Sequence, residues 1–235
     1  MAKALYMDDS YMKEFDAKVT DADGKNIELD QTAFYPESGG QPADHGKLVK
    51  EGVEYMVLHT KKDKGRIVHE VDREGLSVGD EVHGVIDWER RYRLMRSHTA
   101  AHVVSGMFSK TTEAKITGNQ LGLDKIRIDF NLENFDREVI ESLITRSNEL
   151  IHKNLDIKAY GMPREEVEKN PDMVKLAAGL PPGIKVLRIV EIDGFDSQPD
   201  GGTHVRNTSE VGELEILKME NKGASNRRVY IRLKE

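Results

Sequence analysis

The chain has 235 residues, of which 37% are hydrophobic and 33% charged, a composition typical of a globular protein with one large or two small domains. It contains no cysteine, which excludes disulfides and thiolate metal ligands, and its net charge of −7 argues against non-specific nucleic-acid binding. No apolar run approaches the roughly 20 residues that span a membrane, and the first residues carry no targeting pattern, so we expect a cytoplasmic protein without membrane contact.

Residues 1–88 contain short stretches in which apolar and polar side chains alternate, separated by turn signals. This pattern predicts strands, and many short strands at hairpin-like spacing favour a small barrel or a sandwich. The predicted strands are Glu14–Thr20, Asn26–Leu29, Gly46–Val49, Glu54–Thr60, Arg66–Val71 and Glu81–Asp87.

A glycine pair, Gly39-Gly40, lies within this β-rich region, in a segment that runs from Leu29 to Pro42 and is rich in aromatic and polar residues. A glycine pair can simply connect two strands of a hairpin. The length and composition of the segment exceed what a turn requires, so a functional loop is an equally good interpretation.

The pattern changes at Asp87, a candidate N-cap for a helix from Trp88 to about Lys110. The later elements predicted from the sequence are a strand at Lys125–Phe130, an amphipathic helix capped by Asn134 or Asp136, an extended segment at Ile157–Gly161, a short helix opened by Pro163, and strands at Lys185–Asp193, Glu213–Lys218 and Arg228–Leu233. We therefore predict an α+β protein: a β-rich domain over residues 1–88, and over residues 89–235 a two-layer domain with a mainly antiparallel sheet.

Two histidines stand four residues apart in the predicted helix, in the segment Arg96-Ser97-His98-Thr99-Ala100-Ala101-His102. At this spacing His98 and His102 lie on one helix face and can share a metal ion. Zinc metalloproteases use the same spacing with a glutamate after the first histidine, where this chain has Thr99, which argues against a peptidase. Two histidines packed at a helix surface are the alternative.

A second segment, Asp196 to Val205, contains Asp200-Gly201-Gly202-Thr203-His204. The glycines allow a tight turn that brings the backbone close to a ligand, so His204 is a candidate third ligand, with Asp196 and Asp200 as carboxylates near it. Three nitrogen ligands with one open position are typical of catalytic zinc. An ordinary loop with a surface histidine is the alternative.

Four arginines, Arg90, Arg91, Arg93 and Arg96, precede the histidines and form the best sequence candidate for a phosphate-facing patch. A solvated helix face is the alternative interpretation.

The chain resembles the freestanding alanyl-tRNA editing proteins, which are similar to the editing domain of alanyl-tRNA synthetase. The matching segments follow one another in order: LDQTAFYPESGGQP, RSHTAAHVV, TGNQLGLDKIRIDF, DGGTHVRNTSEVG and NKGASNRRVYIRL. The resemblance covers nearly the whole chain, and the glycine-rich front domain is similar to that of the medium-length class.

The resemblance implies a zinc-dependent aminoacyl-tRNA deacylase that hydrolyses seryl-tRNA and glycyl-tRNA made in error with the tRNA for alanine. It implies that His98, His102 and His204 bind one Zn²⁺. The family has cysteine where this chain has Asp200, which leaves the fourth ligand open between Asp200 and water.

Further roles implied by the resemblance concern the substrate. Thr117 would contact the amino-acid side chain, together with Gln120, and Gly39 and Gly40 would help to accept the substrate. Asp200 and Thr117 are the expected catalytic residues.

The residues leave several alternatives open. The metal could activate water or position the α-amino group of the substrate. The protein could be another metal-dependent ester or amide hydrolase, or a non-catalytic RNA-binding relative that lost its metal with the change at Asp200. The sequence allows a monomer or a dimer.

Overall fold

The computed structural model describes residues 2–132, 136–180, 182–223 and 226–234. Contacts divide the chain into two compact units, Met1–Met95 and Arg96–Glu235. The domain boundary expected between residues 88 and 89 stays a prediction. Among the described residues, no helix is both long and apolar enough to cross a membrane.

The first unit is built mainly of strands. Its elements are β1 (Lys3–Ala4), α1 (Leu5–Asp8), β2 (Glu14–Asp23), β3 (Asn26–Leu29), β4 (Gln31–Thr32), β5 (Gly46–Lys50), β6 (Val53–Asp63), β7 (Arg66–Val71) and β8 (Glu81–Ile86). Six of these strands form a closed barrel in the order β2-β3-β7-β6-β5-β8, and every pairing in it is antiparallel. The predicted barrel is confirmed, and all six predicted strands are present.

The barrel closes around the apolar side chains that alternate along its strands. In β2, for example, Phe15, Ala17 and Val19 are buried whereas the intervening residues are exposed. Because side chains of a strand point alternately to opposite faces, this alternation fixes which face of each strand turns inward.

The second unit contains two antiparallel sheets and the helices that accompany them. Its elements are α2 (Trp88–Thr112, which begins before the division), β9 (Ile116–Gln120), β10 (Ile126–Phe130), α3 (Arg137–Ile151), β11 (Ile157–Pro163), α4 (Arg164–Glu168), β12 (Val186–Ile192), β13 (Asp196–Pro199), β14 (Leu214–Asn221) and β15 (Arg227–Leu233). One sheet has the order β14-β15-β10-β9 and the other the order β11-β12-β13. The α+β class with a mainly antiparallel arrangement is confirmed.

The two long helices begin where the capping signals place them. Asp87 Oδ1 accepts a hydrogen bond from the Arg90 N–H at 3.1 Å, and Asp136 Oδ1 accepts from the Glu138 and Val139 N–H groups at the start of α3. These bonds satisfy donors that the first turn of a helix leaves free. Asn134, the other cap considered for α3, lies outside the described residues.

Four short strands were not predicted: the two-residue strands β1 and β4, and the longer strands β9 and β13. The sequences of β9 and β13, Ile-Thr-Gly-Asn-Gln and Asp-Ser-Gln-Pro, lack apolar alternation. They are strands because β10 and β12 pair with them, a long-range cause that local pattern does not contain. Strand β13 directly precedes Asp200, and strand β9 carries Thr117 and Gln120, the predicted substrate contacts.

Candidate metal centre

Three histidines and one aspartate converge in the second unit. His98 and His102 occupy successive turns of α2, and Asp200 and His204 follow β13. One potential ligand atom from each of the four lies within 4.8 Å of all the others. The histidine ring centroids are 4.3 to 5.1 Å apart, and no histidine side chain in the set exposes more than 7% of its surface. The predicted set His98, His102, His204 and Asp200 is therefore one cluster.

The loop that carries Asp200 is held to strand β12 by Arg188. The Arg188 Nη1–H group donates to the carbonyls of Asp200 and Gly202 at 3.1 and 3.0 Å, and the Asp200 N–H donates to the Arg188 carbonyl at 2.9 Å. Gly202 packs directly on His98, since a Cβ at this position would stand 2.2 Å from the His98 Cε1 atom. Any larger residue at 202 would displace the imidazole or the loop.

The carboxylate of Asp200 faces all three imidazoles. Its Oδ1 atom is 3.1 Å from His204 Nε2, and its Oδ2 atom is 3.4 Å from His98 Nε2 and 3.7 Å from His102 Nε2. Burial alone would raise the pKa of Asp200, but the charge of His98 and the hydrogen bonds from the histidines lower it well below its usual value. Asp200 is therefore an ionised carboxylate at neutral pH.

His204 is a neutral imidazole at neutral pH. Burial lowers its pKa well below the usual value, and the charges of His98 and His102 lower the pKa further, against the opposing effect of Asp200. A neutral imidazole has one nitrogen lone pair free to bind a metal. On the opposite side of the ring, Nδ1 lies 3.1 Å from Thr99 Oγ1, which also accepts the Val205 N–H. Thr99 thereby fixes the orientation of the ring.

The chemistry of the four side chains fits a divalent metal ion. Three imidazole nitrogens and one carboxylate oxygen are a donor set that zinc commonly takes, and the separations allow all four to face one point. His102 Nδ1 is buried and has no hydrogen-bond partner in the part of the chain that the structure describes, so this ring has an unsatisfied polar atom beside the cluster. The group could therefore hold a metal ion.

Thr117 and Gln120, expected to contact the substrate, lie on the edge strand β9 and are exposed. The Thr117 Oγ1–H group donates to Asn226 Oδ1 at 3.2 Å. Neither residue belongs to the four-residue cluster. Their roles stay predictions.

Gly39 and Gly40, in the first unit, form the two central residues of a hairpin turn. Ser38 and Gln41 exchange both backbone hydrogen bonds, at 3.1 and 2.9 Å, and the two glycines have φ angles of 59° and 88°. Positive φ at both positions is what a two-residue turn of this type requires, and glycine adopts it without strain. The glycines thus have a structural reason to be there, and their predicted contact with substrate stays a prediction.

The interpretation of the arginine cluster as one phosphate-facing patch is wrong for Arg91. Its side chain is fully buried and paired with the fully buried Asp44, and it also donates to backbone carbonyls. Arg96 is turned toward the chain as well, with its Nε and Nη2 groups donating to the Val211 carbonyl. Helical periodicity distributes successive arginines around the helix, so adjacency in sequence did not imply one surface.

Asp196 was expected near His204 and makes other contacts. Its Oδ1 atom pairs with Lys175 Nζ at 3.3 Å and its Oδ2 atom accepts from Gln198. The bonds of Arg188 and of Thr99 were not recognised from sequence, and no local signal marks them. The close approach at Gly202 was expected from the glycine pair before His204.

The chain matches two known protein families and is similar in sequence to several known proteins. Residues 2–90 match the family described as tRNA synthetases class II (A), and residues 187–230 match the family described as the threonyl and alanyl tRNA synthetase second additional domain. The chain is 50% identical to the alanyl-tRNA editing protein AlaX-M of Methanosarcina barkeri, over 99% of both chains, and 46% identical to that of Saccharolobus solfataricus, over 100% of both. It is also 39% identical to the alanine–tRNA ligase of Ignicoccus hospitalis, over 92% of this chain and 24% of the ligase. The second of the two matched families includes His204 and Asp200 of the cluster, and with full-length identity of this order the chain belongs to the AlaX-M family of alanyl-tRNA editing proteins.

Proposed function

We propose that this protein is a trans-editing hydrolase that cleaves the ester bond of seryl-tRNA and glycyl-tRNA made in error with the tRNA for alanine. The single observation that carries the proposal is the convergence of His98, His102, His204 and Asp200 in a member of this family. An aminoacyl ester is an activated bond, so its hydrolysis needs a positioned water molecule and charge stabilisation rather than a protein nucleophile.

We propose Zn²⁺, one ion per chain, as the metal, because three imidazoles and one carboxylate without sulfur match its ligand preferences. The three histidines and Asp200 would hold it. Bound there, zinc would act as a Lewis acid toward the ester carbonyl and lower the pKa of water.

The chain's own residues prepare that site. In the tautomer of neutral His204 that carries its proton on Nδ1, the Nδ1–H group would donate to Thr99 Oγ1 at 3.1 Å, and the Nε2 lone pair would face the cluster as a metal ligand. The Gly202 N–H donates to Asp200 Oδ1, and Oδ2 remains directed at His98 and His102. Asp200 would either bind the metal directly or accept a hydrogen bond from water in the fourth position, and in both cases its single negative charge would offset part of the charge of the cation.

Selectivity for serine over the cognate alanine would come from Thr117, whose hydroxyl lies on the exposed strand β9 and can exchange its bond to Asn226 for one to the serine hydroxyl. Once the bound substrate covers Thr117, a serine hydroxyl would give it a partner that alanine lacks, and a hydrogen bond left unmade in a covered site is costly. Further substrate contacts would come from Gln120 on the same strand and from the turn formed by Gly39 and Gly40.

The test is deacylation of seryl-, glycyl- and alanyl-tRNA specific for alanine, by the purified protein with and without a chelator. We expect hydrolysis of the first two, sparing of the third, and loss of activity on chelation that added zinc restores. Hydrolysis of small esters without any effect on tRNA esters would favour the general hydrolase. Binding of tRNA with no turnover in the presence of zinc would favour the non-catalytic relative.

A further inference from the structure

The sheet β14-β15-β10-β9 has one apolar face and one polar face. Along β10 and β15 the buried side chains Ile126, Ile128, Val229 and Ile231 alternate with Arg127, Asp129, Arg228 and Tyr230 on the opposite face. Because side chains of a strand alternate between faces, the second set shares one face, named here the outer face. The residues paired with them across the sheet extend this face onto β9 and β14.

A row of directly paired residues crosses all four strands of the outer face. Gln120 pairs with Arg127, Arg127 with Tyr230, and Tyr230 with Lys218. The row therefore places an aromatic ring between two cations, with an amide at its end and no carboxylate in it. Lys125 adds a third cation, since its Nζ atom lies 5.8 Å from the centre of the Tyr230 ring.

The neighbouring row supplies carboxylates, but too few to neutralise the cations. Asp129 contacts both Arg228, through two hydrogen bonds at 2.7 and 2.9 Å, and Arg127, at 3.9 Å. Glu220 likewise contacts both Lys218 and Lys222. Each carboxylate is shared by two cations, so these contacting side chains retain a positive excess in a chain whose net charge is −7.

Arg127 is only partly engaged by the protein. Its Nε–H group is buried and makes no hydrogen bond within the described residues, and its Nη2 group reaches the Asn119 carbonyl at 3.4 Å. The side chain is 28% exposed, so a phosphate oxygen would bind the exposed part of this guanidinium, which the protein holds only loosely. An aromatic ring among cations likewise provides a surface on which a nucleobase stacks while its phosphates are neutralised.

From these observations we propose that the outer face binds the acceptor end of the tRNA, with a base stacked on Tyr230 and phosphates contacted by Arg127, Lys125 and Lys218. This inference rests on the proposed function. Strand β9, at the edge of the sheet, carries Gln120 on the outer face and, three residues earlier and off that face, Thr117, the proposed contact for the amino acid, so the RNA would pass around this edge between them. RNA leading away from the ester would then continue across the sheet.

The experiment measures the Kd for uncharged alanine tRNA by fluorescence anisotropy at several salt concentrations. We expect Tyr230→Ala to weaken binding about tenfold, since stacking of one base is worth ~1–3 kcal/mol, and Tyr230→Phe to bind within about twofold of the wild type. Lys218→Ala should weaken binding severalfold and reduce the slope of log Kd against log salt by about 1. In deacylation assays both weakening variants should raise KM with kcat preserved.

Matched controls lie on the other sheet, where Tyr160 and Lys158 are exposed on β11. Tyr160→Ala and Lys158→Ala should leave the Kd unchanged. Equal Kd values for the outer-face variants and these controls would overturn the proposal, as would equal losses in Tyr230→Phe and Tyr230→Ala. If the wild type binds tRNA through this face and yet hydrolyses no seryl-tRNA, the proposed function fails while the binding surface stands.

Discussion

Two sets of buried ionisable groups, one in each unit of this protein, are arranged in opposite ways. In the barrel unit, Arg91 and Asp44 are fully buried and face each other, and His69 has a hydrogen-bond partner on each ring nitrogen. In the second unit, three buried histidines and Asp200 face one another, with His102 Nδ1 left without a partner among the described residues. Burial alone therefore does not identify a site. Satisfied buried groups stabilise a fold, whereas convergent and unsatisfied ones provide chemistry.

The largest effect should come from removing one histidine of the cluster. His98→Ala should reduce seryl-tRNA deacylation at least about 10³-fold, because loss of a bound metal removes several kcal/mol of transition-state stabilisation. The free energy of unfolding of the metal-free protein should change little by comparison, and circular dichroism should remain that of the wild type. Deacylation by His98→Ala at the wild-type rate would mean that the cluster is not the reactive centre.

In the barrel unit, removal of a buried charged group should instead lower the stability of the fold. Asp44→Asn should lower the free energy of unfolding by about 3–5 kcal/mol, because it leaves the buried Arg91 guanidinium without a counter-charge. Urea denaturation measures this loss. The control is Glu54→Gln, which removes the exposed pair with Lys47 and should cost less than about 1 kcal/mol. Equal effects of the two substitutions would show that the buried pair contributes no more than a surface one.

The contribution of a buried, hydrogen-bonded group to stability can also be tested at His69, by varying the pH. Burial lowers its pKa from 6.5 to about 4, partly opposed by the hydrogen bond to the Ile27 carbonyl. The unfolded chain therefore binds a proton at higher pH than the folded chain, so stability is lost as the pH falls from about 6.5 to about 4. At 1.36 kcal/mol per pKa unit the total is ~3 kcal/mol.

The measurement is the free energy of unfolding at pH 7, 6, 5 and 4.5 for the wild type and for His69→Gln. The difference between the two proteins isolates this histidine from other titrating groups. We expect the wild type to lose more stability than the variant across this range. Parallel curves would indicate that the histidine does not titrate as its burial requires.

A smaller effect is expected at the proposed specificity residue. Thr117→Val should slow serine removal by roughly tenfold, the effect of one hydrogen bond of about 1.4 kcal/mol, and leave glycine removal nearly unchanged because glycine has no hydroxyl. Deacylation of the two mischarged tRNAs measures the ratio. Equal losses on both substrates would remove Thr117 from side-chain recognition.

Sequence reasoning succeeded where the cause of a structure is local. The six barrel strands and the two long helices follow from alternation, turn residues and caps such as Asp87 and Asp136. It failed at β9 and β13, whose strand conformation depends on distant pairing partners. The arginine cluster failed for the same reason, since Arg91 finds its partner, Asp44, 47 positions earlier in the chain.

The candidate site likewise has one part with a local cause and one part that depends on long-range contacts. The spacing of His98 and His102 on one helix predicts their proximity, because four residues make about one helical turn. That His204 and Asp200 meet them depends on the fold of the second unit and on contacts of Arg188 and Thr99 that no local pattern indicates. Only the close approach at Gly202 has a local signal, the glycine pair before His204. At the level of sequence the two segments were joined first by ligand chemistry, since a third histidine completes a catalytic zinc set, and then by family resemblance.

The most direct test of the central claim is metal content measured on the same samples as deacylation. We expect one zinc per chain in the wild type, none in His98→Ala, and seryl-tRNA hydrolysis that falls with zinc on chelation and returns on its addition. Full hydrolysis of seryl-tRNA by a wild-type protein that contains no metal would contradict the account.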